Sequence, residues 1–501
     1  MARGCSKKSI RNYVSNTKIT WPARRQKQHG DLMGTLTSLM EMSQQALMAD
    51  QTALNVTANN VSNQNTPGYT REVVNWQPVD AVTLNGSTYY VMGDSGPSAI
   101  SQRDRVLEQQ VQQQTQVVSQ SSALESALQD IQNVFGLSST SASASSTVLG
   151  SAMNSYFGAL SQLSANPSDA SVRQSVVSAA TTLASAFNSS AQQLSQISSS
   201  LDQQVGTVVG QVNTLTATIA SLNQQITSLS PNQDAGTLED QRQLAITQLS
   251  QYVGLNQITT EGNGITLTTS NGALLVSGDQ SYAMSTAQVS GTTDIIAGIN
   301  GQDVTSGLTG GTLGGVLQAR DQEIPAVVTA LDTLAYGIGN QTNLQNEQGL
   351  DGNGNPGQAL FSLPSTASGA AASIQIATTD PNALAAAAVG EGSAGNGNAL
   401  ALANLSSANL AGGQTAATFY SALLGQVGTA TASASTDNTA QQATLTQLTT
   451  QRDSLSVVSL DEEASNLTQY QRSYQAAAKL LTITDSVMAS AINLGDDVTV
   501  S

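Results

Sequence analysis

The chain has 501 residues, with 34 Asp and Glu against 17 Lys and Arg, one Cys and one His. Residues 1–32 hold eight of the basic residues, Cys5, His29 and a single acid, Asp31, so the remainder carries nine basic and 33 acidic residues, a formal charge of −24. That remainder excludes disulfides, thiolate metal sites, Cys nucleophiles and Ser-His-Asp triads, and it lacks the clustered Lys and Arg that a nucleic-acid partner requires.

The leader (1–32) is basic but contains no apolar run of signal-peptide length. Met33 opens "MGTLTSLM", so Met33 is the expected start and the leader an upstream extension. No later segment has the 18 consecutive apolar residues of a membrane span, so no membrane insertion is expected. Residues 33–101 read as an N-terminal assembly helix followed by an extended segment. Met40, Leu47, Leu54 and Val61 recur at seven, supported by Leu36, Ala53 and Ala58. "NVTANNVSNQNTPGYTRE" (55–72) then ends the helix. Asn59, Asn60 and Asn63 tolerate caps and turns, Pro67 and Gly68 suit the centre of a type II turn, and the chain leaves after Tyr69.

Residues 102–254 read as a long-helix body. One helix is expected over 103–135, where Val117, Leu124 and Ile131 align with Leu128 and Phe135. A second seam repeats at Phe187, Leu194, Leu201, Val208, Leu215, Leu222 and Leu229, with Val205, Val212, Ile219 and Ile226 four residues on from several of them. This predicts a coiled-coil-like rod of roughly 65 Å, weakened at Gly206 and Gly210 and ended at Pro231. Residues 255–318 read as a β-rich insertion, with a hairpin over 262–280 turning at Asn-Gly and strand signals continuing to 318. Residues 319–350 return to the body as helix, 351–414 read as loop and strand, and 415–455 as helix again. The final segment, 456–501, is a C-terminal assembly helix with Leu460, Leu467, Tyr474, Leu481 and Met488 at seven, plus Ala464, Ala478 and Ile492. Ser459 and Glu462 form a capping box, with Asp461 near the positive end of the helix dipole. The fold class is therefore mainly α with β-rich insertions facing outward. An amphipathic helix leaves an apolar face in water, so the terminal helices pair as a coiled coil or bury against neighbouring subunits.

Chemistry finds no foothold. Asp461, Glu462 and Glu463 are consecutive on one helix and point about 100° apart, so they do not face a shared substrate. "DGNGNPG" (351–357) starts like a calcium loop but has Pro356 and Ser362 where Gly and Glu are needed. "GGTLGG" (310–315) lacks the lysine of a phosphate loop. No catalytic residue, metal or cofactor is expected.

"ALNVTANNVSNQNTPGYTRE" (53–72) resembles the N-terminal signature of the bacterial flagellar axial proteins, the family that builds rod, hook and junction. "GTLEDQRQLAITQLSQYVGL" (236–255), residues 308–361 and "SLDEEASNLTQYQRSYQAAAKLLTITDSVMASAINLG" (459–495) are similar to the hook-associated junction members of that family. Glu72 replaces the usual Gln, and Ser459 stands where Asn is common. The resemblance spans residues 33–495. It implies a structural component of the extracellular flagellum, at the junction of hook and filament, that is secreted by the flagellar export apparatus with a dedicated export chaperone. It also implies self-association and contact with hook protein and with the second hook–filament junction protein. The expected course is that terminal segments stay disordered until assembly supplies partners. The alternatives are another axial protein, such as hook or second junction protein, or a secreted adhesin; the middle segments argue against the former.

Overall fold

The computed structural model describes residues 24–76, 81–84, 87–90, 98–137, 147–229, 235–259, 264–299, 301–392 and 394–496; most of the leader and Pro231 lie outside them. Among the described residues the first helices are α1 (Arg24–Asn63), α2 (Arg105–Val134), α3 (Val148–Ala165), α4 (Ala170–Ser228) and α5 (Thr237–Tyr252). They are followed by α6 (Gly311–Gln318), α7 (Ile324–Glu347), α8 (Ala370–Ser373), α9 (Gly397–Asn404), α10 (Ala416–Ser456) and α11 (Leu460–Asp496). The chain forms two compact units: a terminal unit of Met1–Gln64, Glu72–Ser101 and Val458–Ser501, and a body of Asn65–Arg71 and Gln102–Val457.

The body is organised by α4, whose 59 residues extend roughly 88 Å at 1.5 Å per residue. Asp169 caps it, its carboxylate accepting from the Ser171 and Val172 N–H groups. The seam at Phe187, Leu194, Val205, Val212 and Ile219 is fully buried, whereas Leu229 lies past the last helical residue. Before Phe187 the same face continues through Val176, Ala180 and Leu183. Tyr156, Leu160 and Leu163 of α3, Leu128 and Ile131 of α2, and Leu331, Leu334 and Ile338 of α7 join it in one continuous core.

Two antiparallel sheets follow α5. The first pairs Leu255–Thr259, Ile265–Thr269, Leu274–Ser277 and Gln280–Ser281 in sequence order; the second places Thr292–Ala297 between Ser285–Val289 and Gln302–Asp303. The Asn271-Gly272 turn falls where the sequence predicts it, with Gly272 at φ +89°. Strand structure ends at Asp303, however, and 311–318 is helix α6 rather than strand. A Cβ on Gly315 would collide with the Gln120 backbone oxygen and Ala123 of α2, so glycine permits a close helix–helix approach. Such a glycine run reads as a loop when its packing partner is unseen. Residues 351–414 likewise carry only two-residue strands, with α8 and α9 among them.

Helix-borne amides dock these non-helical segments. Asn213 donates to the Met284 oxygen and accepts from the Met284 N–H, both at 2.8 Å. Asn223 donates to the Ile265 and Gly278 oxygens at 2.9 Å. Asn346 donates to the Gln358 oxygen at 2.7 Å and accepts from the Ala385 N–H at 2.9 Å. A carboxamide has the same donor and acceptor as a peptide group, so it pairs backbone groups that burial would otherwise orphan. The buried Arg320, in a π-helical turn (Ala319–Glu323), does similar work with charge. It donates to Asp202 at 2.9 Å and to the Thr293 oxygen at 2.7 Å, while Asp202 accepts from the Thr293 N–H at 2.8 Å.

Substitutions along α4 should separate its two faces. Phe187→Ala lowers body stability by about 3–5 kcal/mol. Gly206→Ala and Gly210→Ala, which face open space, each raise it by about 0.5–1 kcal/mol. The urea midpoint of the body measures both effects.

Candidate functional site

In the terminal unit α1 and α11 pack against one another. The deepest residues of α1 are Ser43, Asp50, Ala53, Val56, Thr57 and Asn60, and those of α11 are Glu463 and Thr484. Ser43, Asp50 and Thr57 repeat at seven; Glu463 and Thr484 share a heptad frame with half-buried Tyr470 and Ala477. Apart from Ala53 and Val56, the most buried positions of the pair are thus polar. Its hydroxyls turn inward on their own helices, Ser43 donating to the Leu39 oxygen at 2.7 Å and Thr484 to the Leu480 oxygen at 2.8 Å. The Asp50 Oδ2 atom is buried without a hydrogen-bond partner.

The larger apolar residues singled out in the sequence flank that seam. Leu36, Met40, Leu47 and Leu54 of α1, and Leu467, Leu481 and Met488 of α11, are half-buried, while Val61, Leu460 and Tyr474 are exposed. A second set is exposed more fully, including Met42 at 58% and Met48 at 65% on α1, and Ile483 at 55% and Ile492 at 54% on α11. Two helices share a single interface, and these two carry apolar side chains beyond its arc.

The end of α1 is locked by asparagines. Asn63 donates to the Asn59 oxygen at 3.1 Å. Asn60 donates to the Glu72 oxygen at 2.8 Å and accepts from the Glu72 N–H at 3.0 Å, joining the last turn of α1 to strand Glu72–Asn75. That strand pairs antiparallel with Ser98–Ser101, and Trp76 beyond it lies 6.2 Å from the Tyr470 ring. At the start of α11 the Ser459 oxygen accepts from the Glu463 N–H at 2.9 Å, with Asp461, Glu462 and Glu463 in the first turn.

The middle of the turn motif belongs to the body. Tyr69 N–H donates to the Thr66 oxygen at 3.1 Å across Pro67 and Gly68, and Gly68 has φ +81°, the geometry of a type II turn. A Cβ on Gly68 would lie 3.2 Å from Leu244 Cβ, so the turn rests on α5. Next to it, Thr70 N–H donates to the Asp240 carboxylate at 2.9 Å, and the other carboxylate oxygen accepts from Arg103. Arg103 also approaches Glu239 at 3.5 Å, Arg242 donates to Asn223 at 2.9 Å, and Arg452 lies 4.0 Å from Glu108. Sequence reading gave none of these charges a role. The available signal was scarcity: a chain with nine basic residues after its leader places Arg103, Arg105, Arg242 and Arg452 here.

Burial dominates the cluster's titration. It raises the Glu108 carboxyl above its ordinary value despite Arg452 and Arg103, raises Asp240 despite Thr70 and Arg103, and lowers Arg242 to about 10. A carboxyl raised by folding holds its proton more tightly in the folded state. Its stabilising contribution is therefore largest below the unfolded value and declines as pH rises through the folded one. Glu108→Gln accordingly raises the urea midpoint at pH 7 and flattens its dependence on pH above 4.5; a midpoint lowered at pH 7 would contradict the burial argument.

Elsewhere, Asp351 accepts from the Asn353 and Asn355 N–H groups at 2.8 Å, which makes 351–357 a side-chain-closed turn. Among the described residues no group of three or more His, Cys, Asp or Glu side chains could hold a metal ion, and no helix is long and apolar enough to cross a membrane.

Comparison with known proteins agrees with this arrangement. Residues 136–361 match the flagellar hook-associated protein FlgK helical domain, residues 40–70 the flagella basal body rod protein family, and residues 452–494 the flagellar basal body rod FlgEFG protein C-terminal family. Flagellar hook-associated protein 1 of Bacillus subtilis (strain 168) is 29% identical over 499 residues, covering 91% of this chain and 97% of the relative. The Escherichia coli (strain K12) protein of the same name is 25% identical over 343 residues, 66% of this chain and 60% of that relative. The solved structure of the flagellar hook junction protein FlgK from Burkholderia pseudomallei matches with a TM-score of 0.62 at 21% identity, covering 70% of this chain and all of that one, and so shares the fold. These matches identify the chain as a structural component of the bacterial flagellum, similar over nearly its whole length to flagellar hook-associated protein 1.

Proposed function

We propose that this protein joins hook to filament as an assembled, non-catalytic part of the flagellum. One observation carries the reading: segments of rod-protein type at both ends, 40–70 and 452–494, flank a hook-associated helical domain at 136–361. The ends supply a means of axial assembly common to several flagellar parts, and the middle supplies what is particular to the junction.

The mechanism follows from the terminal unit. The α1 and α11 pair retains exposed apolar side chains after packing, so further copies of the chain are the natural cover. A head-to-tail contact with a screw component propagates where a two-fold contact would close. Folding of the ends is coupled to incorporation, because the partners that complete their burial are the subunits already in place. Hook protein lies on one side of the junction and the second hook–filament junction protein on the other. The chain reaches this position through the flagellar export apparatus, held by an export chaperone beforehand. The lack of cysteine beyond the leader suits passage through a narrow channel.

Leu467→Asp with Leu481→Asp places two charges beside the terminal seam. Cells carrying this double variant should export the chain, release filament subunits into the medium and lose motility, while immunogold labelling of the unaltered chain marks the distal end of the hook. Normal motility of the double variant, or label spread along the filament or cell surface, would sink the proposal.

A further inference from the structure

We infer that Asp240 is a positioning residue that fixes the place where the chain leaves the body for both of its ends; the inference rests on the assembly reading above. The chain passes between body and terminal unit four times, after Gln64, after Arg71, before Gln102 and after Val457. On the body side the last three of these points are joined in a ring of hydrogen bonds. Arg71 N–H donates to the Ser456 oxygen at 2.9 Å, Gln102 N–H donates to the Arg71 oxygen at 2.9 Å, and Ser456 Oγ donates to the Gln102 oxygen at 3.4 Å.

Alone, such a ring of exchangeable hydrogen bonds is weak, since each contributes about 1 kcal/mol net. Asp240 anchors it. One carboxylate oxygen accepts from Thr70, the residue before Arg71, and the other from Arg103, the residue after Gln102. The last crossing is tied in through Ser456, and Arg452, one turn earlier on α10, faces Glu108 in the first turn of α2. Both carboxylate oxygens are committed and the side chain is 8% exposed, so no other group substitutes for it. Asparagine would offer one acceptor and turn an amide N–H toward either Thr70 or Arg103. The consequence is local: on the body side, the residues flanking three of the four crossings are held together through one side chain on α5.

The scarcity of basic residues makes trypsin a direct probe. In the unaltered chain the bonds after Arg71 and Arg103 should resist cleavage. Asp240→Asn should raise cleavage there roughly tenfold or more, while cleavage after Arg173 and Arg320, in the body, stays at the unaltered rate. A uniform rise at all four sites would mean that Asp240 merely supports the fold, and no rise at Arg71 would mean that it does not hold the clasp; either result overturns the inference. Should Asp240→Asn not fold, Gly68→Ala, which strains the turn at φ +81° and crowds Leu244, opens the same clasp, and the same comparison of sites decides. In cells the selectively opened variant should be exported yet shed filaments under rotation. Retained filaments would overturn the positioning role and leave the identification as a flagellar component untouched.

Discussion

A pair of helices has one interface to share, and the ends of this chain carry more apolar surface than one interface can cover. The organisation of the molecule answers to that limit. The most buried residues of α1 and α11 include Ser43, Asp50, Thr57, Glu463 and Thr484, which contribute little transfer free energy, beside Ala53 and Val56. Leu47, Leu54, Leu467 and Leu481 sit at the margins, half in contact and half available. A seam built this way is short of the burial that would stabilise it alone. The pair is suited to being completed by others of its kind, which is what distinguishes a subunit from a self-sufficient domain.

The body solves the opposite problem. It must be stable with few aromatic side chains, and it does so through length. The fully buried seam of α4 collects medium-sized side chains over many turns, and α2, α3 and α7 lie along the same core. Where strands and loops meet these helices, Asn213, Asn223 and Asn346 supply the missing peptide partners, and Arg320 with Asp202 secures the second sheet. The Asn and Gln content that makes the sequence look loosely polar is therefore partly structural mortar. Basic residues are few, and Arg103, Arg242, Arg320 and Arg452 each have a partner, with Arg103 and Asp240 beside the turn at Pro67 and Gly68.

Much of this was legible in the sequence. The α4 seam stood out because Phe187, Leu194, Val205, Val212 and Ile219 are large, apolar and regularly spaced, and periodicity reports on just such residues. The type II turn was legible because Pro67 and Gly68 have few other uses side by side. Three features stayed hidden, each for a physical reason. Helix α6 depends on glycines whose value lies in the approach of α2, which no local pattern records. The terminal pair also buries small and polar residues, Ser43, Asp50, Thr57, Glu463 and Thr484, which weighting by hydrophobicity passes over; of the expected seam Ala53 is fully buried, while Val61, Leu460 and Tyr474 are exposed. The link from Thr70 to Asp240 spans 170 residues, and a pairing of that range leaves no mark on either segment alone.

The central claim is that the terminal pair is incomplete in a single chain and completed by its neighbours. Amide hydrogen exchange, followed peptide by peptide in the isolated chain and in the assembled junction, addresses it directly. The account predicts fast exchange over α1 and α11 in the isolated chain, slow exchange over α4 in both states, and a steep gain in protection at the two ends upon assembly. Terminal helices already as protected in the lone chain as α4, with nothing gained in the polymer, would contradict it.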